Sequence, residues 1–303
     1  MTTHSSIRKL LFVTQFEDLR FDTLQLFLEL RRASLEHVVF LYVIQRDKVA
    51  FQRGVGYKKS EEIKLREKAN IRFIDWAENL FEQGMEVGVY IVVGDVVPQV
   101  LSAVDKEGVD LVVIGNSEKN RLRQLVSGSD IGELIHRSPV PVLTINFPTE
   151  EKRLTENPFH RPLLALNWFP GEQSILETLL PLQGIVKGVD VIHVSREQEL
   201  NSTSAMGIQK TRKQQRQRLE AFCDQLEAGG ISAQPHVYVG DPRTEIERAA
   251  RDCQSSLIAL GVPRKRSLGE RIRKSVPVDL AEHAGCPVLL IPGSESSSQK
   301  WQA

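Results

Sequence analysis

The feature that most constrains the fold of this chain is an internal repeat at constant spacing. VGD at 93–95 recurs as VGD at 239–241, and PVLTI at 141–145 recurs as PVLLI at 287–291, both at an offset of 146 residues. The same offset relates five pairs of single residues: Leu111 and Leu257, Gly115 and Gly261, Leu122 and Leu268, Ser129 and Ser275, Leu134 and Leu280. A constant offset over about fifty residues indicates that one folding unit was duplicated, as expected for two domains in a chain of this length.

The first apolar run of each half is related by a different offset. Leu10-Leu11 matches Leu163-Leu164, and Phe16 matches Phe169, at 153 residues, so the first half carries about seven extra residues. We expect these extra residues in the polar stretch at 45–60. Residues 148–161 are rich in charge and proline and lack an apolar period, which is typical of a linker. The predicted domains are therefore residues 1–147 (copy 1) and 162–303 (copy 2).

Each copy alternates short apolar runs with longer amphipathic segments, which predicts a parallel sheet with right-handed crossovers. The runs are short and almost continuously apolar, as in strands buried on both faces. We therefore expect two tandem doubly wound α/β domains, each with a five-stranded parallel sheet and helices on both faces. The predicted strands are 9–14, 37–44, 87–93, 110–115 and 140–145 in copy 1, and 162–166, 189–194, 233–239, 255–261 and 286–291 in copy 2. The predicted helices include 18–33, 60–84 and 206–229.

Charge and hydropathy restrict the partners. Lys+Arg and Asp+Glu both number 39, so net charge gives no reason to expect a nucleic acid or a membrane surface as partner. No apolar run approaches the roughly 18 residues of a membrane span. The run at 10–14 is too short for the core of a signal peptide. We therefore predict a cytoplasmic protein.

The sequence offers no evident metal or catalytic group. Three widely spaced cysteines, an odd number, argue against a disulfide framework or a zinc site. The seven histidines show no metal-ligand spacing with each other or with cysteine, and His193 is expected to be a hydrogen-bonded core histidine within a strand. Asp95 and Asp241 are expected to cap helices. Because no nucleophile–base constellation is found, we predict no metal, no catalytic residue and no enzymatic activity.

The segment after the fourth strand of copy 1 has the character of an anion site. Gly115 is expected to end the strand, and Gly128-Ser129 to open a helix, with Ser129 as its cap. Free N–H groups and the positive end of the helix dipole favour a phosphate at such a position. Glycines allow the backbone to approach the ligand closely.

These residues resemble the universal stress protein family. Domains of that family that bind ATP carry G-x2-G-x9-G-(S/T) here, followed by a helix and a CPV-like strand. Gly115, Gly128 and Ser129 are in register with that pattern, and HAGCPVLLI at 283–291 matches its end in copy 2. The first strand reads LFVTQFE where the family has LVPTDFS, so Thr14 matches and Gln15 stands in place of the Asp. FLYVI resembles the family's second strand and implies that Val43 lies beside the adenine.

Both copies depart from the ATP-binding pattern. In copy 1, Glu118 replaces the second glycine and would place a negative charge beside the phosphates. In copy 2, Arg264 and Lys274 replace the second and third glycines, and the alignment of LLALNWF puts Trp168 at the position of the Asp. Side chains at these positions oppose close approach of the backbone to a phosphate.

The resemblance implies an adenine nucleotide α-hydrolase-like fold and leaves two functions open. One is a non-catalytic regulatory or protective module of the stress response with degenerate nucleotide sites. The other is an ATP- or AMP-binding protein that uses copy 1 only, with Thr14, Gln15, Val43, Gly115, Gly128 and Ser129 around the ligand. The family's dimers imply that the two copies pair within one chain through their last strands, VPVLTI and CPVLLI. A homodimer of the whole chain and a protein partner also remain open.

Overall fold

The computed structural model describes residues 6–14, 21–49, 56–117, 128–147, 157–168, 172–196, 205–263 and 275–293. Copy 1 contains strands β1 (Lys9–Val13), β2 (His37–Ile44), β3 (Glu86–Val93), β4 (Leu111–Ser117) and β5 (Val142–Phe147). Its helices are α1 (Phe21–Phe27), α2 (Arg46–Val49), α3 (Lys59–Glu82), α4 (Val96–Glu107) and α5 (Gly128–Arg137). A 3-10 turn, Leu28–Ala33, follows α1.

Copy 2 repeats this order of elements, except that its described residues contain no counterpart of α2. Its strands are β6 (Pro162–Leu166), β7 (Val189–Ser195), β8 (Ala233–Val239), β9 (Leu257–Val262) and β10 (Val288–Pro292). Its helices are α6 (Glu172–Leu179), α7 (Ala205–Ala228), α8 (Pro242–Asp252) and α9 (Val276–His283), with a 3-10 turn, Leu180–Leu182, after α6. The predicted doubly wound α/β fold, with five parallel strands in each copy, is confirmed.

The two copies share one ten-stranded sheet, in the order β3-β2-β1-β4-β5-β10-β9-β6-β7-β8. All pairs within a copy are parallel, whereas β5 and β10 are antiparallel, with Leu143 opposite Leu289 and Thr144 opposite Val288. The predicted contact between the last strands is therefore present. Each apolar last strand has its open edge covered by the other, which removes a site of aggregation.

Side chains of both copies form the apolar core on each face of this sheet. On one face α5 packs against α9, and Gly132 of α5 lies beside Val278 of α9. On the other face the two 3-10 turns meet, and the His160 imidazole donates to Glu29 Oε2 at 2.6 Å. Phe159, in the stretch that the sequence assigns to the linker, is fully buried, so packing of copy 2 begins before β6.

Strand register corrects the alignment of the first strands. Leu11 pairs with Val112 of β4, and Leu163 pairs with Ile258 of β9. Since Val112 and Ile258 are related by 146, Leu11 is equivalent to Leu163, at an offset of 152 rather than 153. The structural counterpart of Gln15 is therefore Asn167, and the prediction that Trp168 takes that position was wrong.

The same comparison locates the extra residues of copy 1. Val39 is equivalent to Asp190 at an offset of 151, since Leu11 and Leu163 are their partners on the first strands. Gly88 is equivalent to Gln234 at 146. Most of the difference thus arises between the second and third strands, where the connection covers residues 45–58 in copy 1 and 196–204 in copy 2. The predicted position of the insertion is confirmed, although only part of it, including α2, lies within the described residues.

Candidate functional site

Ligands of doubly wound sheets bind outside the carboxyl ends of the strands, where the strand order reverses. That point lies between β1 and β4 in copy 1, and between β6 and β9 in copy 2. Residues 15–20, 50–55 and 118–127, which follow β1, α2 and β4, are outside the described part of the chain. Gln15 and Glu118 are among them, so their predicted roles stay predictions.

The strand ends of copy 1 bring Thr14 and Gly115 to the same level. Val13 pairs with Leu41 of β2 and Ile114 of β4, which places the next residue, Thr14, level with Tyr42 and Gly115. The Thr14 amide donates to Leu41 O at 3.1 Å. Thr14 and Val43 are both 0% exposed, and the Val43 side chain belongs to the apolar core that includes α4. A base that reached Val43 would therefore require its present neighbours to move.

Gly115 and Ser129 differ in detail from their predicted positions. β4 continues past Gly115 to Ser117, and Gly115 is paired with Ile145 of β5. Helix α5 begins at Gly128, so Ser129 lies within its first turn and does not precede the helix as a cap. The first N–H groups of a helix have no partner within that helix, and in α5 they belong to Gly128, Ser129 and the residues that follow.

The matching helix of copy 2 begins later. Ser275, the counterpart of Ser129, is the residue before α9, with extended backbone (φ −80°, ψ 148°) and no capping hydrogen bond from its side chain. Its Oγ is buried without a partner in the described residues. The predicted helix caps behave unequally as well: Asp241 accepts from Thr244 N at 3.0 Å, whereas Asp95 occupies the cap position without that bond.

An aromatic cluster lies at the carboxyl ends of β6 and β7 in copy 2. The Trp168 indole Nε1–H donates to His193 Nε2 at 3.2 Å, and the two ring centroids are 4.8 Å apart. His193 Nδ1–H donates to Leu166 O at 2.9 Å, so both ring nitrogens are hydrogen-bonded, as expected of a core histidine. The Arg218 guanidinium of α7 lies 4.0 Å from the indole centroid, a cation–π distance.

The backbone of Trp168 is held in an unusual conformation. Its φ of +60° is in the left-handed region, which a residue with a large side chain rarely adopts. The Trp168 amide donates to Glu172 Oε1 at 2.7 Å. Burial raises the pKa of Glu172 to about 7, although the bond from Trp168 and the charge of Arg218 both oppose that rise. Trp168 is thus held by the contacts of its indole ring and by the hydrogen bond from its backbone amide to the Glu172 carboxyl group.

The fold also assembles a group that sequence spacing could not reveal. Asp190 of β7, His236 of β8 and Cys253, which follows α8, place their ligand-type atoms within 4.8 Å of one another. The His236 imidazole donates to Asp190 Oδ1 at 2.9 Å. Burial, followed by the Asp190 carboxylate, raises the pKa of the Cys253 thiol to about 11. Because the three residues come from three separate elements, a search for short ligand spacings cannot find them.

Comparisons with known proteins bear on the identity of the chain. The model of the universal stress protein family matches residues 6–146 and 186–292. A universal stress protein of Methanocaldococcus jannaschii is 28% identical over 152 residues, which are 46% of this chain and 94% of that protein. No helix among the described residues combines the length and the hydrophobicity required to cross a membrane.

Solved structures share the whole arrangement of two copies. A universal stress protein from Archaeoglobus fulgidus superposes with a TM-score of 0.70 at 18% identity, covering 95% of this chain and 97% of that one. A functionally unknown protein from Pseudomonas aeruginosa gives a TM-score of 0.64 at 19% identity, covering 96% and 94%. At such identities the similarity shows the fold, and the family match covers both copies. The chain belongs to the universal stress protein family.

Proposed function

We propose that this universal stress protein acts in the cytoplasm as a non-catalytic regulatory or protective module with degenerate nucleotide sites. The observation that carries the proposal is the Trp168 cluster, which occupies the strand ends of copy 2 with the protein's own side chains. Its hydrogen bonds and ring contacts link β6, β7 and α7. Copy 2 then serves as a structural partner that completes the sheet and covers the edge of β5.

A ligand at the strand ends of copy 2 would have to replace these contacts. Leaving the buried His193 Nε2 without a partner would cost about 1–3 kcal/mol, and the partly buried Trp168 indole N–H would add a smaller amount. Loss of the ring contacts with His193 and Arg218 would add to that cost. Lys274, where the family pattern has a glycine, also opposes close approach of the backbone to a phosphate.

A second candidate function is ATP or AMP binding in copy 1. The supporting observation is that Gly115 and Gly128 are retained and that α5 begins at Gly128, so that the N–H groups of its first turn have no partner within the helix. Ser129 lies in that turn, and Thr14 is level with Gly115 on the adjacent strand. Glu118 opposes this function, since its carboxylate repels a triphosphate. In this function the residues of copy 1 would bind the nucleotide without taking part in a reaction.

Phosphate release by the intact chain tests the non-catalytic proposal. Full-length protein incubated with ATP and Mg²⁺ should release phosphate no faster than the Gly128→Lys variant, which carries the residue of copy 2 at that position. A rate above that of the variant would overturn the proposal. Gly132→Ala, a change in the same helix but outside its first turn, controls for general effects on α5.

Titration calorimetry with ATP and Mg²⁺, and separately with AMP, tests the second function. On full-length protein stripped of ligand, we expect one site per chain that disappears in Gly128→Lys and persists in Gly132→Ala. Binding of two nucleotides per chain would contradict the proposal that copy 2 has lost its nucleotide site. Absence of heat at millimolar nucleotide would eliminate the second function while leaving the first intact.

A further inference from the structure

We infer that copy 2 contains a binding site for a divalent transition-metal ion of the zinc class, formed by Asp190, His236 and Cys253. A carboxylate, an imidazole and a thiolate are all ligands that Zn²⁺ accepts. Their ligand-type atoms lie within 4.8 Å of one another on three different elements. The site is distinct from the strand ends discussed above, because Asp190 is near the amino end of β7 and Cys253 lies before the amino end of β9.

The His236 and Asp190 ligand atoms require only a small adjustment to admit an ion. Tetrahedral zinc with bonds of about 2.0 Å to nitrogen and oxygen separates those two ligand atoms by about 3.3 Å. His236 Nε2 and Asp190 Oδ1 are 2.9 Å apart, so they would move apart by a few tenths of an ångström. The ion would take the place of the hydrogen between these two atoms, with the imidazole proton carried on Nδ1 instead. The Cys253 thiol would bind as the thiolate and release its proton to solvent.

The surroundings leave the site accessible and offer a fourth ligand. The three residues line an open cavity of about 660 Å³, together with Arg161, Lys187 and Gln234. About a third of the His236 side chain and a quarter of the Asp190 side chain are exposed. Three protein ligands leave one tetrahedral position open. Water, or an anion attracted by Arg161 and Lys187, would complete the coordination.

Copy 1 provides an internal comparison at the equivalent positions. Strand register relates Asp190 to Val39 and His236 to Tyr90, and the offset of 146 relates Cys253 to Glu107. In copy 1 the Tyr90 hydroxyl donates to Glu107, and Lys9 forms an ion pair with the same carboxylate at 3.5 Å. That group is satisfied by its own hydrogen bond and ion pair, and its Val39 offers no ligand atom. Two of the three positions, Val39 to Asp190 and Tyr90 to His236, therefore change from a residue outside the usual zinc ligands to one of them, and the third exchanges a carboxylate for a thiol.

Cobalt(II) is a suitable probe, because its absorption spectrum reports both the coordination geometry and whether a thiolate is bound to the metal. Full-length protein, first stripped with a chelator, should bind one Co²⁺ per chain with the ligand-field bands of tetrahedral cobalt and thiolate-to-cobalt charge transfer. Zn²⁺ should displace it. Cys253→Ser should remove the charge-transfer band. His236→Tyr, which installs the residue of copy 1, should weaken binding by at least the roughly 10–100-fold that loss of an outer-shell partner costs. Cys223→Ser and Cys286→Ser are matched controls that should leave the spectrum unchanged.

The outcomes are distinguishable from loss of folding. Each variant is compared by circular dichroism and thermal unfolding without metal, and Zn²⁺ should raise the melting temperature of the wild type but not of His236→Tyr. The inference is overturned if the wild type shows no tetrahedral cobalt spectrum, or if the spectrum survives in both Cys253→Ser and His236→Tyr. In that case the three residues form only a hydrogen-bonded group. Neither result depends on whether copy 1 binds nucleotide.

Discussion

Copy 1 and copy 2 have the same strand order but differ in what their corresponding sites contain. At the strand ends, copy 1 keeps the small residues Gly115 and Gly128, whereas copy 2 places the Trp168 indole against His193. Toward the amino ends of the strands, copy 1 has the hydrogen bond between Tyr90 and Glu107, and copy 2 has the group of Asp190, His236 and Cys253. Duplication thus preserved the residues that build the sheet, while the side chains at positions that the sheet does not need differ between the copies.

Of the changes predicted here, separating the two copies should affect the protein most. A protease site introduced near residue 150 and cleaved, with the halves then isolated, should give self-associating or insoluble fragments. The reason is that each half exposes an apolar edge strand, β5 or β10. Size-exclusion chromatography with light scattering measures the outcome, and the uncleaved protein with the same inserted site is the control. Two monomeric, soluble halves would contradict the view that the copies depend on each other.

Removing the Trp168 ring should destabilise copy 2 strongly. We expect Trp168→Ala to lower the free energy of unfolding by about 2–3 kcal/mol, somewhat less than for a fully buried tryptophan. Trp168→Phe keeps an aromatic ring and loses the indole bond to His193, so it should cost about 1 kcal/mol. Denaturant unfolding measures both. Equal stability of the wild type and Trp168→Ala would show that the cluster does not hold the strand ends of copy 2 together.

Glu172 should make the stability of copy 2 depend on pH. Its pKa is raised to about 7, so the folded protein holds a proton that the unfolded chain releases above its ordinary pKa of 4.5. This contribution to stability is complete below pH 4.5 and declines as pH rises to 7. Glu172→Gln does not titrate, and we expect it to exceed the wild type by about 1 kcal/mol at pH 8 and to match it near pH 4.5. A stability difference that is independent of pH would show that Glu172 is not the titrating group.

A gain in stability is expected where the two copies meet. Gly132 of α5 and Val278 of α9 are equivalent positions that lie beside each other across the junction. A Cβ at Gly132 would be 3.7 Å from the Val278 side chain, an ordinary contact distance. Gly132→Ala should therefore raise the free energy of unfolding by about 0.5–1 kcal/mol through helix propensity. A loss of stability in thermal unfolding would show that the helices are already too close.

The sequence predicted the fold because repeat and periodicity both concern the buried scaffold. Strands such as 37–44 and 162–166 have the predicted bounds, and the pairing of VPVLTI with CPVLLI followed from their apolar edges. The first helix was predicted less well, since 18–33 divides into α1 and a 3-10 turn. A helical period alone does not distinguish these two conformations over a few residues.

The candidate site was less predictable for two physical reasons. Strand ends are followed by loops of variable length, so a pattern match there can slip by one residue, as it did for Trp168 and Asn167. Contacts such as those of Asp190, His236 and Cys253 depend on the packing of β7, β8 and the end of α8. No single-chain spacing encodes that packing. Thr14 follows β1 and Gly128 begins α5, whereas β4 continues two residues past Gly115. The role of all three toward a nucleotide is still a prediction.

The antiparallel junction between β5 and β10 determines which sites share a side of the protein. Because the two halves of the sheet run in opposite directions, the carboxyl ends of the copy 1 strands and the amino ends of the copy 2 strands lie along one rim. The first turn of α5 at Gly128 and the group of Asp190, His236 and Cys253 therefore lie toward the same side. With strands spaced about 4.8 Å apart, β1 and β7 are separated by about 30 Å along that rim. A single elongated partner lying along it would contact both chemistries at once, whereas the Trp168 cluster would remain on the opposite rim.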